Sequence, residues 1–280
     1  MRIAAIQMTS GPDIRQNALI LEHFIREAAL QGAELIATPE NTCHIQSRMM
    51  DKLETAPTVQ THPMIDIAQT LSEEYHVNIL LGSLSISEGQ KKLFNRSFLF
   101  RYGFDAPVTY DKIHLFDANL GNGQSYRESD VFQSGDKVVL ARIGDMNLGL
   151  TICYDLRFPL LYRRLAQAGA QVIVVPSAFT VPTGEAHWHT LLRARAIENG
   201  CYIFAPAQVG VHVLGRETYG HSLVVDPWGK IIAEADGAHS QIIYADIDLS
   251  AVGAARERIP SLLNEQHFLD QHFLDIVYHE

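Results

Sequence analysis

Three cysteines in 280 residues are too few and too scattered for a disulfide framework. Cys43, Cys153 and Cys201 form no C-x-x-C pair, so neither a zinc knuckle nor a redox dithiol is indicated. Long apolar runs are also missing. The longest are strand-sized and broken by Pro, Gly or charge, well short of the roughly 20 residues of a membrane helix. Basic runs are absent as well. With 22 Lys+Arg against 32 Asp+Glu the chain carries a net charge of −10, which speaks against a general nucleic-acid binder. The N-terminal "MRIAAIQMTS" has too short an apolar part for a secretion signal, and no low-complexity segment or linker interrupts the chain. The expectation is therefore a single domain over residues 1–280, kept in a reducing cytoplasm, with no membrane or nucleic-acid partner.

What is present is a large supply of core residues: 47% of the chain is hydrophobic. "RIAAIQM" (2–8) reads as a buried strand, and Ile14, Ala18, Leu21, Ile25 and Ala28 share one face of a helix over 14–32 capped by Gly32. A helix near 62–75, strands near 77–86 and 93–101, and two strands within 137–153 follow. Helices at 158–169 and 184–200 flank a strand at 170–179, and four late strands close the pattern. "GAELIATP" (32–39) is echoed by "GAQVIVVP" (169–176). Each follows a helix and ends at a proline, so two similar α/β halves are expected. The strands are too apolar to have a wet face, so the sheets should be covered on both sides.

Ligands in open α/β sheets bind beyond the C-terminal ends of strands. Three chemistry-bearing residues lie there: Glu40 after "LIATP", Lys112 in "VTYDKIHLFD" and Cys153 after "LGLTI". A carboxylate can take the proton of a thiol and return it to a leaving amine, while an ammonium offers charge where an oxyanion forms. Taken singly, each has a plainer reading: a packed thiol, a solvated carboxylate, a surface charge.

Their surroundings carry more. "TPEN", "YDKIHLFD" and "TICYDLRFP", in that order, resemble the three signature blocks of the nitrilase, or carbon–nitrogen hydrolase, superfamily. The resemblance continues through "LAQAGAQVIVVPSAF", "HWHTLLRARAIENGCYIFAPAQ" and "GHSLVVDPWG", nearly the whole chain. It points to the amidase branch that includes deaminated glutathione amidase and ω-amidase. It implies a four-layer α-β-β-α sandwich, usually dimerised through one helical face. It implies Cys153 as nucleophile, Glu40 as base and then acid, and Lys112 with the Tyr154 N–H as oxyanion donors. Glu128 in "GQSYRES" is the implied second glutamate, positioning substrate or holding Lys112. The helix opened by "YDLRFP" would favour the thiolate through its N-terminal end. Ser177, Phe179 and His187 are candidate pocket residues, and Arg157 could meet a substrate carboxylate or form a structural ion pair.

The reaction so implied is hydrolysis of a small carboxylate-bearing amide to acid plus ammonia through a thioester, foremost of deaminated glutathione. The alternatives are an ω-amidase acting on α-ketoglutaramate or α-ketosuccinamate, a nitrilase or N-carbamoyl amidase, and a catalytically silent scaffold. No cofactor is expected. The 13 histidines suggest no metal either: Glu185, His187 and His189 in "EAHWH" point to different sides of a helix, and no H-E-x-x-H occurs. "GNG" (121–123) is too short for a nucleotide fingerprint, and Ser177 lacks the flanks of a nucleophile elbow. Cys43 and Cys201 read as packed residues, and Arg193 and Arg195 as partners of acids or of another subunit. The tail over about 259–280 repeats "QHFLD" at 266–270 and 271–275, and is expected to pack on a partner subunit of a homodimer or higher homo-oligomer.

Overall fold

A computed structural model describes residues 1–46, 48–119 and 125–266. The first half runs β1 (Arg2–Gln7), α1 (Ile14–Leu30), β2 (Leu35–Ala37), a single turn α2 (Lys52–Thr55), α3 (Pro63–Tyr75), β3 (Asn78–Ile86), β4 (Phe94–Phe100) and β5 (Val108–Asp111). A small ribbon of β6 (Asp117–Asn119) and β7 (Ser125–Arg127) follows. The second half runs β8 (Val139–Ile143), β9 (Met146–Leu150), α4 (Pro159–Gln167), β10 (Val172–Val174), α5 (Val181–Asn199) and β11 (Tyr202–Ala205). A ribbon of β12 (Val209–Val211) and β13 (Glu217–Tyr219), then β14 (Leu223–Val225), β15 (Ile231–Glu234), β16 (Gln241–Asp246) and α6 (Ser250–Arg258) complete it.

Two six-stranded sheets result, ordered β16-β1-β2-β3-β4-β5 and β15-β14-β11-β10-β9-β8. In the first, β1, β2 and β3 are parallel, β4 and β5 continue antiparallel, and β16 flanks β1 antiparallel. In the second, β9, β10 and β11 take the parallel role, β14 and β15 the antiparallel one, and β8 flanks β9. The sequence echo thus marks equivalent strands, β2 and β10, each the middle of a parallel trio.

Alternation along the strands builds the layers. Ile3, Ala5, Leu35, Ala37, Leu80 and Leu99 pack in one core with Leu148, Leu150 and Val174 of the other sheet. The intervening Ala4, Ile6, Ile36, Ile79 and Leu81 pack instead with Leu21 and Ile25 of α1 and Met64 and Leu71 of α3. Leu161 and Leu165 of α4 and Trp188 and Leu192 of α5 cover the second sheet. The order is helix, sheet, sheet, helix. The α1 boundaries follow local chemistry. Asp13 Oδ1 accepts from the N–H groups of Arg15 and Gln16 at the start, and Gly32 (φ +83°) follows the end.

The strand expected at 170–179 is shorter, Val172–Val174, because Pro176 has no N–H for a ladder and the chain turns there towards α5, which starts at Val181 with Pro182 in its first turn. The turn α2, the β12–β13 ribbon and α6 were not among the expected elements. No helix among the described residues is long and apolar enough to cross a membrane. Within the tail, Glu265 accepts a hydrogen bond from Gln167 of α4 and lies 4.0 Å from Arg163 Nε. The second "QHFLD" and all but the first residue of the first, like the "GNG" at 121–123, lie outside the described residues.

Candidate active site

The cleft forms where the two sheets bring their strand ends together. Glu40 stands just past β2, Lys112 immediately after β5, and Cys153 shortly after β9. A glycine permits the approach. A Cβ on Gly82 of β3 would sit 1.9 Å from the Thr38 carbonyl oxygen and 2.6 Å from Pro176 Cβ, so only hydrogen lets the two proline-ended loops meet.

Cys153 opens a tight 3-10 turn, Cys153–Arg157, with φ +47°, a left-handed conformation unusual outside glycine. Several bonds hold it there. The Cys153 N–H donates to the Pro176 carbonyl at 2.9 Å. The fully buried Asp155 carboxylate accepts from Ile152 N (2.9 Å), Tyr110 Oη (2.7 Å) and the backbone N of His114 (3.0 Å), and its Oδ1 lies 2.7 Å from His114 Nδ1. From α5, buried Arg195 donates twice to the Leu156 carbonyl. The helix expected over 158–169 starts at Pro159, but a 3-10 turn too short for a helix dipole separates it from the thiol, so the expected helix end does not adjoin Cys153. Burial and the Glu40 carboxylate push the thiol well above its ordinary range, against the opposing pull of Lys112. Both influences favour the neutral thiol beside the carboxylate.

Lys112 Nζ donates to Glu40 Oε1 at 2.7 Å and to Glu128 Oε2 and Oε1 at 2.9 and 3.1 Å. Asn95 of β4 donates Nδ2 to both carboxylates, 3.0 Å each, and Phe116 N reaches Glu128 Oε2 at 2.6 Å. All four side chains are buried. Burial alone would raise the Glu40 carboxyl. The Lys112 charge and hydrogen bonds from Lys112, Cys153 and Asn95 outweigh it and hold Glu40 below the usual carboxylate range. Burial alone would lower Lys112, but Glu128 and Glu40 raise it well above the usual lysine range. A carboxylate beside a thiol and steadied by a fixed ammonium can move a proton off sulfur and onto a leaving group.

The space beside the thiol is small, about 50 Å³, and is lined by Glu40, Lys112, Glu128, Tyr154, Arg157 and Phe179 among others. Outside lies a vestibule of about 620 Å³, whose wall includes Arg48, Arg127, Arg216 and Glu217. Of the sequence candidates, Glu40, Lys112, Cys153, Glu128, Tyr154, Arg157 and Phe179 converge here. Ser177 does not line the cleft. It is buried, with Oγ donating to the Val175 carbonyl. His187 is exposed and meets the cleft only through Arg157, whose Nη2 lies 3.3 Å from His187 Nδ1. Arg157 makes no ion pair among the described residues and sits over the Tyr154 and Phe179 rings. Arg193 Nε donates to the Gly229 carbonyl rather than to an acid.

Four site residues escaped the sequence reading. Asn95 had a signal, a polar residue inside the apolar strand "LFNRSFLF"; so had Asp155, an acid two places after the thiol. Lys52 and Arg216 had none, yet both line the cleft. Among the described residues, one set of donors could hold a metal ion: His189 of α5, His221 and Glu234 of β15, whose ligand atoms lie within 4.8 Å of one another. It combines three separate segments, invisible to a scan of "EAHWH", and it does not line the cleft.

Comparison with known proteins matches residues 2–257 to the family described as carbon–nitrogen hydrolase. A deaminated glutathione amidase of a Synechocystis species is 41% identical over 263 residues, 92% of this chain and 96% of that protein. Omega-amidase NIT2 of Mus musculus is 34% identical, covering 93% of each. The crystal structure of the C. elegans NitFhit protein superposes with a TM-score of 0.86 at 34% identity, over 95% of this chain and 65% of that longer one.

Proposed function

The chain belongs to the carbon–nitrogen hydrolase family of the nitrilase superfamily, and on that premise we propose that it is a cysteine-dependent amidase acting on a carboxylate-bearing amide, deaminated glutathione foremost. The observation that carries this reading is the buried thiol of Cys153 in one cleft with Glu40, itself fixed by Lys112, where cations outnumber acids. Lys52, Lys112, Arg157 and Arg216 face Glu40 and Glu128 there, in a chain that is otherwise acidic. Such a cleft favours anionic substrates.

In the proposed cycle Glu40 takes the thiol proton as Cys153 Sγ bonds to the amide carbon. The oxyanion accepts from Lys112 Nζ and the Tyr154 N–H. One Lys112 proton can serve both Glu128 oxygens, which leaves another for the oxyanion. Glu40 then gives its proton to the amide nitrogen, the C–N bond breaks, and the amine leaves a thioester behind. Water adds to the thioester with Glu40 as base, the C–S bond breaks, the thiol recovers a proton, and the carboxylic acid departs. Glu128 and Asn95 act by positioning.

One expectation needs correcting on the chemistry of the substrate. The scissile nitrogen of deaminated glutathione belongs to its cysteinyl residue, so the amine released is cysteinylglycine; only a primary amide yields ammonia. The test is a panel of deaminated glutathione, α-ketoglutaramate, an N-carbamoyl amino acid and a simple nitrile, read as new amine or ammonia, wild type beside Cys153→Ala. Turnover of the first, lost in the variant, is expected. A preference for α-ketoglutaramate keeps the mechanism and makes the enzyme an ω-amidase, a reading the resemblance to omega-amidase NIT2 favours. Full activity in Cys153→Ala would sink the proposal. A homodimer is also proposed, supported by Ile197, Trp228 and Ile259 exposed around one surface hollow. Light scattering at twice 31.2 kDa tests it.

A further inference from the structure

Among the described residues, Lys52 is the one buried cation of the cleft with no carboxylate in contact with it. It belongs to α2, in the excursion between β2 and α3, and its side chain is 4% exposed. Its Nζ donates to Asn41 Oδ1 at 2.6 Å and to Ser85 Oγ at 3.2 Å, both uncharged, and sits 5.7 Å from the centre of the Phe132 ring. Among the described residues no carboxylate pairs with it. The two acids of the cleft, Glu40 and Glu128, are both bonded to Lys112. Cys43, Glu40 and Glu128 act on it only through space, and none of them touches its ammonium. Cys43 is a buried thiol whose Sγ accepts from Ser85 N. His44 and His62 are imidazoles that burial pushes down to about 2 and about 4. Burial, with Arg216 of the same sign, holds Lys52 down at about 8 against the weaker upward pull of Cys43, Glu40 and Glu128.

An unpaired buried cation is costly to a fold, and groups held at such a cost cluster at functional sites. Lys52 keeps one of its three ammonium protons free and faces the space around Cys153. It does not line the outer vestibule, whereas Arg216 lines both. The two halves of an amide must divide in the same way. The acyl half stays on sulfur through the thioester and so occupies the inner space, while the amine half leaves outward through the vestibule.

We infer that Lys52 is the counter-ion of a carboxylate on the acyl half of the substrate, held through its free ammonium proton at the inner end of the cleft. This rests on the amidase reading above and narrows it. The acyl group should be a dicarboxylic acid monoamide, whichever amine it carries. Deaminated glutathione and α-ketoglutaramate share that acyl group, and an acyl chain ending in methyl does not satisfy Lys52. Asn41, next in sequence to Glu40 and held at φ +58° with its N–H on Ser83 Oγ, ties the anion site to the base. The carboxylate would then fix the carbonyl carbon relative to both Glu40 and Cys153.

The test compares ammonia release from glutaramate, a carboxylate-bearing primary amide, with that from pentanamide, its neutral counterpart. Wild type, Lys52→Met and Lys52→Gln are measured side by side. The glutamine variant keeps a donor for Asn41 while removing the charge, so it stands in if the methionine variant folds poorly. The preference for glutaramate, as a ratio of kcat/KM values, should fall roughly 10- to 100-fold in both variants, mainly through KM, as for loss of a hydrogen bond to a charged group. A ratio unchanged in both would overturn the inference and leave the amidase reading intact. If wild type hydrolyses neither amide, that reading is in difficulty and calorimetry decides separately. Cys153→Ala should bind glutarate and Cys153→Ala/Lys52→Met should bind it at least 10-fold more weakly. Equal binding in the two refutes the site.

Discussion

Asp155→Asn should unfold the protein earlier and disable it, for reasons that can be weighed on the structure. The wild-type carboxylate is fully buried and meets four groups: Ile152 N, Tyr110 Oη, and His114 through its backbone N and ring Nδ1, at 2.7 to 3.0 Å. An amide keeps one acceptor oxygen and turns an NH2 towards donors on the other side. At about 1.5–3 kcal/mol for each hydrogen bond to a charged group, losing two costs about 3–6 kcal/mol. The left-handed backbone at Cys153, φ +47°, stores about 1–2 kcal/mol of opposing strain. The bonds outweigh the strain in the wild type; in the variant they are of similar size, and the turn is free to relax. For a chain of this length each kcal/mol moves Tm by about 2–4 °C, so a fall of about 6–24 °C is expected by calorimetry. A nucleophile displaced by about 1 Å loses on the order of 100-fold in kcat/KM. A Tm within about 2 °C of wild type, together with wild-type turnover, would refute the claim that Asp155 brackets the thiol.

Three further outcomes follow from the same site. Lys52 is depressed from 10.5 to about 8 by burial, so the fold carries a penalty of about 3 kcal/mol that is complete below pH 8 and fades as pH rises towards 10.5. Lys52→Met should therefore be no less stable than wild type at pH 7, and its advantage should shrink between pH 8 and 10.5 in parallel thermal melts; a Tm well below wild type at pH 7 contradicts this. In the pH profile of kcat/KM for a carboxylate amide, the acid limb should lie below the ordinary glutamate range because Lys112 holds Glu40 ionised. The alkaline limb should begin near 8, where Lys52 discharges, and should be absent for a neutral amide. Iodoacetamide on the native protein should label Cys153 alone, since Cys43 and Cys201 have no exposed surface and only Cys153 lines the cleft; peptide mass spectrometry showing equal labelling of all three would count against the described packing.

Much of this was legible in the sequence because it is written locally. The helix at Ile14–Leu30 is set by apolar spacing and the Gly32 that follows it, and β2 and β10 by short apolar runs that end at prolines. Glu40, Lys112 and Cys153 each follow an extended run, but it was the resemblance of "TPEN", "YDKIHLFD" and "TICYDLRFP" to the family's blocks that singled them out. The rest depends on distance in the chain. Asn95 matters because β4 lies beside β5, which brings it to two glutamates 55 and 33 residues away. Arg195 clamps the Cys153 turn only because α5 folds back over Leu156. Lys52 lies in "RMMDKLETAP", which reads as an ordinary solvated turn, and nothing in that stretch says that the ammonium is buried. Polar side chains used in tertiary bonds leave no period in the sequence.

The central claim is that Cys153 carries the acyl group. Wild-type protein mixed with deaminated glutathione, quenched within a few turnovers and weighed intact should gain the mass of the acyl half, with the adduct on the Cys153 peptide and released amine running ahead of free acid. Amine release with Cys153 unmodified at every quench time, and undiminished in Cys153→Ala, would contradict it.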